Sequence, residues 1–318
     1  MIPMNMVTPP PELAAITALQ SKLVSALRPI LPEHALLWEP EDTIPYECDG
    51  LAAYRRMPLA VALPETEEQV AQILKICFAM QVPIVPRGSG TGLSGGAMPI
   101  SQGLVLSLAK LKKIISIDPF TRTAVVQPGV RNLAISEAVA HLGLYYAPDP
   151  SSQIACSIGG NVNENSGGVH CLKYGLTLHN VLKVRGILMN GEIVEFGSLA
   201  PDAPGLDLLA IVMGSEGMLA VVTEVTVKLI AKPKLARVIM ASFDDIEKGA
   251  DAVAAIIAAG IIPAGLEMMD KATTRAVEEF VHAGYDLEAE TILLCESDGT
   301  PEEVAEEIER MTKVLEQA

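Results

Sequence analysis

Apolar residues recur every three or four positions over residues 11–30, with Leu13, Ile16, Leu19, Leu23 and Leu27 on one side, and this spacing predicts a helix. Residues 31–54 are mixed and proline-rich, an extended lead-in. From Val61 the pattern turns to strand, helix, strand. Thr66 stands as the cap of a helix over 67–80, with Val70, Ile73, Leu74 and Cys77 facing inward. Residues 82–85 read as a short β-branched strand, and Pro83 puts it at a sheet edge or a strand start, because proline donates nothing to a ladder. A glycine-rich loop follows, then strands at 104–108, 114–117 and 123–127.

A second stretch begins with a helix at 132–141 and a long polar, glycine-rich segment at 147–165. Segments 181–189 and 193–196 flank Asn190-Gly191, which predicts a type I′ hairpin. A helix at 206–213 and one or two strands over 219–230 come next. Lys232-Pro233-Lys234 marks a domain boundary. Beyond it, 237–243, 246–259, 273–283, 291–296 and 302–316 alternate strand and helix as in a small α+β domain, whose pattern stops inside a helix with no closing strand.

Composition narrows the picture. At 318 residues the chain has the length of about two domains. Half of it is apolar, enough for a sizeable core and against disorder. A net charge of −16 opposes nucleic acid, though converging backbone N–H groups can still hold a diphosphate. Cys48, Cys77, Cys156, Cys171 and Cys295 are odd in number and contain no C-x-x-C pair, which reads as reduced thiols with neither zinc nor iron–sulfur spacing. Residues 1–11 hold no Lys or Arg and end in three prolines, unlike a signal peptide. The longest apolar run, 252–265, is too short for a membrane span and contains Pro263. A soluble, cytoplasmic protein is expected.

The most informative segment runs Pro86-Arg87-Gly88-Ser89-Gly90-Thr91-Gly92-Leu93-Ser94-Gly95-Gly96. It contains Gly90-x-Gly92-x-x-Gly95, formally the Rossmann fingerprint. That reading needs a helix directly after the loop and an acid about 20 residues on. Pro99, Gly103 and a strand follow instead, and no Asp or Glu lies between Glu68 and Asp118, so it fails on both counts. What remains is main chain without Cβ atoms, whose N–H groups can converge on an anion, with hydroxyls from Ser89, Thr91 and Ser94. A tight surface turn is the competing reading.

A second loop, Pro148-Asp149-Pro150-Ser151-Ser152-Gln153-Ile154-Ala155-Cys156-Ser157-Ile158-Gly159-Gly160-Asn161, continues to Asn163, Asn165, Gly167 and Gly168. Its amides offer donors and acceptors that suit the alternating edge of a flavin pyrimidine, and a self-packed surface loop is the alternative. These loops, together with Gly214-Ser215-Glu216-Gly217-Met218-Leu219-Ala220-Val221-Val222-Thr223-Glu224, resemble the FAD-binding family of the vanillyl-alcohol-oxidase or PCMH type. Ile44-Pro45-Tyr46-Glu47-Cys48-Asp49-Gly50, Val126-Gln127-Pro128-Gly129-Val130-Arg131-Asn132 and Gly167-Gly168-Val169-His170-Cys171-Leu172-Lys173-Tyr174-Gly175 strengthen it, and within the family the match is to flavin subunits of the glycolate-oxidase type.

The resemblance implies an α+β chain. Residues 1–56 would be a helix and lead-in, and 57–230 a PCMH-type FAD-binding domain of two α/β subdomains, 57–117 and 118–230. Residues 235–318 would begin an incomplete α+β substrate (cap) domain. It also implies that Pro86 and Arg87 to Gly95 wrap the FAD diphosphate. Pro148, Asp149, Ser151, Ser152, Gly159, Gly160, Asn161, Asn165 and Gly167 would line the flavin and ribityl region, and Glu216, Gly217, Val221 and Val222 the adenosine end. Relatives that attach FAD covalently use a His in the first loop; Thr91 stands there, so the FAD is expected to be non-covalent.

The implied activity is oxidation of a small 2-hydroxy acid, glycolate or D-lactate, by hydride transfer to the flavin. Partner subunits, one of them iron–sulfur, are expected to take the electrons onward and to provide any membrane-peripheral attachment. D-2-hydroxyglutarate is an alternative substrate, and a chain that binds FAD without turning anything over is an alternative function. The His-rich downstream motifs of such dehydrogenases are absent. His34, His141, His170, His179 and His282 show no ligand spacing, so no metal ligands are expected within these residues; the metal-binding and catalytic acid–base residues are expected beyond Ala318. His170 and Lys173, beside the second loop, are the remaining candidates.

Overall fold

The computed structural model describes residues 11–200 and 205–317, with side chains in the first helix from residue 15 onward. The reading of residues 1–10 as no signal peptide, and the side chain of Leu13, lie outside the described residues. The chain divides into two compact units. One comprises Met1–Ala138, Ser152–Ser166 and Val181–Lys228; the other comprises Val139–Ser151, Gly167–Asn180 and Leu229–Ala318.

In the first unit, helix Glu67–Met80 starts where the sequence places it. Thr66 accepts from the Gln69 N–H while the Gln69 side chain accepts from the Thr66 N–H, a capping box that satisfies two otherwise orphaned donors. Its apolar stripe, Val70, Ile73, Leu74 and Cys77, is fully buried and packs with Leu23 and Leu27 of helix Pro11–Leu27. Beneath lies a four-stranded sheet in the order Leu36–Leu37, Ala60–Ala62, Leu104–Ser107, Ile84–Arg87. Strand Leu104–Ser107 is parallel to both neighbours and buried at every residue. Leu104 and Leu106 face the helices, and Val105 meets Val61 and Val85 on the other side, as expected of a strand covered on both faces. Strand Ile84–Arg87 occupies the edge, which tolerates its Pro86.

A five-stranded antiparallel sheet completes this unit, in the order Ile114–Asp118, Thr123–Val126, Val221–Lys228, Val181–Ile187, Ile193–Gly197. Arg185 on it grips Glu67 with two hydrogen bonds of 2.9 and 3.1 Å, and the Thr223 hydroxyl donates to the same carboxylate at 2.6 Å. The Asn190-Gly191 hairpin forms, but not as type I′. Gly191 has φ +79° whereas Asn190 is not in the left-handed region. The Gly191 N–H donates to Leu188 and the Leu188 N–H to Glu192, giving a three-residue loop with a glycine bulge. The Asn190 side chain accepts from the Glu192 N–H at 3.0 Å, a bond that favours this geometry.

The second unit is built on strands Leu235–Phe243, Thr291–Gly299 and Gly265–Asp270, all antiparallel, with Thr291–Gly299 in the middle. Helices Ile246–Ala258 and Pro301–Leu315 supply Ala252, Ile256 and Met311 to a core with Phe243, Leu293 and Cys295. Strand Gly265–Asp270 has no counterpart in the sequence reading. Gly-Leu-Glu-Met-Met-Asp is poor in β-branched residues, and its pairing with the central strand decides its state. Among the described residues, no helix is long and apolar enough to cross a membrane.

Candidate functional site

The glycine loop leaves the carboxyl end of edge strand Ile84–Arg87. Its shape is fixed from below by Arg87, which folds back under Gly90. The guanidinium donates to the Cys48 carbonyl at 2.7 Å and lies 5.6 Å from the centre of the Tyr46 ring. Gly90 has φ +68°, which favours glycine, and a Cβ there would fall 2.6 Å from Arg87 Cζ, so any side chain would have to push the Arg87 guanidinium aside. The lead-in straps onto the same loop. Asp49, 6% exposed, accepts from the Leu51 N–H at 2.9 Å and the Ala97 N–H at 3.4 Å. Gly50 leaves no room for a side chain against the carbonyls of Thr91 and Gly92.

Two further segments of the first unit close on this loop. The stretch read from sequence as irregular contains helix Ile158–Glu164, although two glycines and two asparagines in seven residues disfavour one. Tertiary packing overrides that propensity, because Gly159 seats directly on Pro128. Gly88 rests against Ser157 and Gly160, and Gly92 against the Glu164 carboxylate. From the third segment, Glu216 covers Gly96, and Gly217 packs on Pro86. The Gly214 N–H donates to Val162 at 2.9 Å and the Glu216 N–H to Asn163 at 2.8 Å, which locks the second and third segments together. Glu216 itself sits at φ +54°, a strained conformation for a side chain of its size.

Three polar atoms around this junction are buried without a hydrogen-bond partner among the described residues: Ser157 Oγ, Asn163 Oδ1 and Ser215 Oγ. Orphaned groups of this kind need an explanation, and a polar ligand provides one. Beside them opens a cavity of about 520 Å³, walled by Pro86, Met98, Pro99 and Met218 with Arg56 at its margin. It is apolar enough to take a planar ring, and it adjoins the loop through Gly95, Gly96 and Glu216. Burial, helped by Glu216 and Asp49, raises the Glu164 carboxyl above its ordinary value.

Within this unit the structure brings together Pro86, Arg87, Gly88, Gly90, Gly92 and Gly95 with Gly159, Gly160, Glu216 and Gly217. Val221 lines the cavity; Val222 is fully buried and does not. Ser89, Leu93 and Ser94 are exposed, and Thr91 is half-buried. The Asn161 amide is turned inward, accepting from Asn132 at 3.0 Å and donating to Ser166 at 3.4 Å, so it holds the loop rather than presenting itself. Asn165 ends its helix in the left-handed conformation, and Ser152 is half-buried nearby in sequence. Asp49, Ser157, Asn163, Glu164 and Ser215 were given no cofactor role from sequence, although all but Glu164 lie in the strings quoted there. An unpaired buried hydroxyl is visible only in three dimensions.

The second unit holds the remaining candidates. Asp149 accepts from His170 Nδ1 at 2.6 Å and from its backbone N–H at 3.3 Å, and Glu296 lies 3.4 Å from Nε2. The Asp149 hydrogen bond, reinforced by the charge of Glu296, keeps the imidazole protonated up to about pH 9. Asp298 accepts two hydrogen bonds on its carboxylate, one from Lys173 Nζ at 2.5 Å and one from the Tyr174 hydroxyl at 2.7 Å. Both candidate cations are therefore paired with carboxylates. Pro148 is buried, Ser151 exposed, and Gly167 packs on Leu176 and Cys171.

Residues 58–197 match the family described as FAD binding domain, and residues 232–318 the family described as FAD linked oxidases, C-terminal domain. The chain is 59% identical over 296 residues to the glycolate oxidase subunit GlcD of Escherichia coli (strain K12), covering 93% of this chain and 59% of that protein. It is 44% identical over 270 residues to the subunit of the same name from Bacillus subtilis (strain 168), covering 85% and 57%. The chain thus spans somewhat under three fifths of the length of these relatives. Solved structures of an alkyldihydroxyacetonephosphate synthase and of p-cresol methylhydroxylase superpose with TM-scores of 0.80 and 0.77 at 19% and 20% identity. They cover 93% and 94% of this chain and 59% and 64% of their own. At that identity the likeness concerns the fold, a mixed α/β PCMH-type FAD-binding architecture.

Proposed function

The chain belongs to the FAD-linked oxidoreductase family with a PCMH-type FAD-binding domain, and from that premise we propose that it oxidises a small 2-hydroxy acid, glycolate or D-lactate, to the 2-oxo acid. The observation that carries the substrate class is the 59% identity, across 93% of the chain, to a glycolate oxidase subunit. The reading makes this chain the flavin-carrying subunit of a multi-subunit assembly with an iron–sulfur partner, since its own cysteines lack cluster spacing. It places the protein in the cytoplasm, with any membrane attachment made through partners.

The residues present fit FAD. The glycine loop gives bare backbone for the diphosphate, Ser157 and Ser215 supply hydroxyls that nothing else among the described residues engages, and the apolar cavity suits the adenine ring. Bound there without a covalent link, FAD supplies the acceptor for the hydride leaving C2 of the acid. The chain's own contribution is positional and electrostatic. Arg87 and Asp49 hold the loop in shape, and the Pro128–Gly159 contact sets the height of helix Ile158–Glu164 beneath Gly88. In the second unit, Asp149 and Glu296 keep His170 charged, a fixed positive group in the segment that carries Gly167 and Gly168.

The test combines binding with turnover. Purified protein is expected to carry flavin that heat or acid releases into the supernatant. FAD-loaded protein mixed anaerobically with glycolate, D-lactate and D-2-hydroxyglutarate in turn should bleach with the first two. A colourless protein that takes up no added FAD removes the proposal, and bleaching by D-2-hydroxyglutarate alone moves the substrate to that acid.

A further inference from the structure

The glycine loop is crowded by acids. Glu164 lies over Gly92, Glu216 over Gly96, and Asp49 behind Ala97. The groups facing Glu164, among the described residues, are Glu216 from the segment after Gly214 and Asp49 from the lead-in. Arg87 faces Asp49, Cys48 and Tyr46 instead, and its guanidinium is already committed to the Cys48 carbonyl. Arg56 shares the neighbouring cavity with Glu216 but forms no ion pair with it, so a pyrophosphate placed on this loop meets two carboxylates without an ion-pair partner among the described residues. Yet the same place holds Ser157 Oγ and Ser215 Oγ, whose residues are 3% and 8% exposed and which have no partner among the described residues, so the site is built to receive a polar group.

We propose that binding of FAD to this loop takes up a proton, and that the Glu164 carboxyl receives it. The inference rests on the reading that residues 88–96 hold the diphosphate. The chemistry is that of a carboxyl approached by like charge. Negative charge within about 4–6 Å favours the neutral form. Protonation turns Glu164 from a repelling acceptor into an O–H donor toward a phosphate oxygen. Glu164 is the one to change. It lies directly against Gly92 and is already held above its ordinary value, whereas Asp49 lies behind the loop with its carboxylate engaged by the Leu51 and Ala97 N–H groups. The direction follows by linkage. Affinity is highest below the free-state value of Glu164 and falls as pH rises, until the FAD-bound value is passed.

The experiment uses the full chain stripped of flavin and titrated with FAD by calorimetry. Two buffers of different ionisation enthalpy count protons, and flavin fluorescence gives Kd between about pH 5 and 8. The expected result is uptake approaching one proton per FAD, with Kd rising toward about tenfold per pH unit in the middle of that window. Glu164→Gln should abolish the uptake and flatten the profile while retaining FAD. Glu216→Gln should keep the uptake but move the window to lower pH. FAD binding with buffer-independent heat and pH-independent Kd overturns the inference and leaves the loop assignment standing. Uptake that survives Glu164→Gln overturns the choice of residue. No FAD binding at any pH removes the loop assignment, and the proton with it.

Discussion

Replacing His170 with glutamine should make the stability of the protein less sensitive to alkali. The imidazole, held by Asp149 and facing Glu296, titrates at about 9 instead of the ordinary 6.5. A group whose folded value is raised contributes stability that is complete below its unfolded value, near 6.5, and is lost as pH rises through about 9. At about 1.4 kcal/mol per pKa unit the shift corresponds to roughly 3 kcal/mol, an upper bound. The His170 side chain keeps 27% of its exposure, and water screens the pair, so about 1–2 kcal/mol is the working figure. Glutamine retains a donor for Asp149 but cannot titrate. Urea unfolding followed by circular dichroism, at about pH 6 and pH 9.5, measures the difference between wild type and variant. Other alkaline groups are common to both proteins and cancel. The advantage of the wild type should shrink by that 1–2 kcal/mol between the two pH values. Parallel curves would refute the pairing as an energetic element of the fold.

Other perturbations address separate parts of the chain. Gly90→Val places a branched side chain at φ +68° against Arg87; FAD retention after gel filtration should be lost while far-ultraviolet circular dichroism is unchanged, and full FAD occupancy would show that the loop does not hold the diphosphate. Thr66→Ala removes half of a capping box and should cost about 1 kcal/mol in urea unfolding, with Thr66→Ser close to neutral. Leu74→Ala leaves a cavity under helix Glu67–Met80 and should cost about 2–5 kcal/mol, whereas Leu74→Met should cost under about 1.5 kcal/mol. Asp298→Ala strands Lys173 and Tyr174 together, and unfolding should show a loss of about 2 kcal/mol, with Asp298→Glu recovering part of it.

Much of this molecule is legible in its residue order, where local signals and tertiary demands agree. Helix Glu67–Met80 is written twice, by the Thr66 cap and by the Val70–Ile73–Leu74–Cys77 stripe, and both act within one or two turns. The density of glycine between Gly88 and Gly96 likewise announces a close approach, because no other residue lets main chain come so near another surface. The family resemblance rested on such strings. Only the tertiary structure decides the rest. Helix Ile158–Glu164 forms against its own propensity because Gly159 docks on Pro128, and strand Gly265–Asp270 exists because the centre of a sheet needs a partner. Asn161, chosen from sequence for its amide, is turned inward by Asn132, while Glu164, invisible among many acids, is lifted onto Gly92. The physical reason is range. Caps, turns and amphipathic stripes are set by neighbours a few residues away, whereas burial, orphaned hydroxyls and like charges in contact depend on segments far apart in the chain that meet only once it is folded.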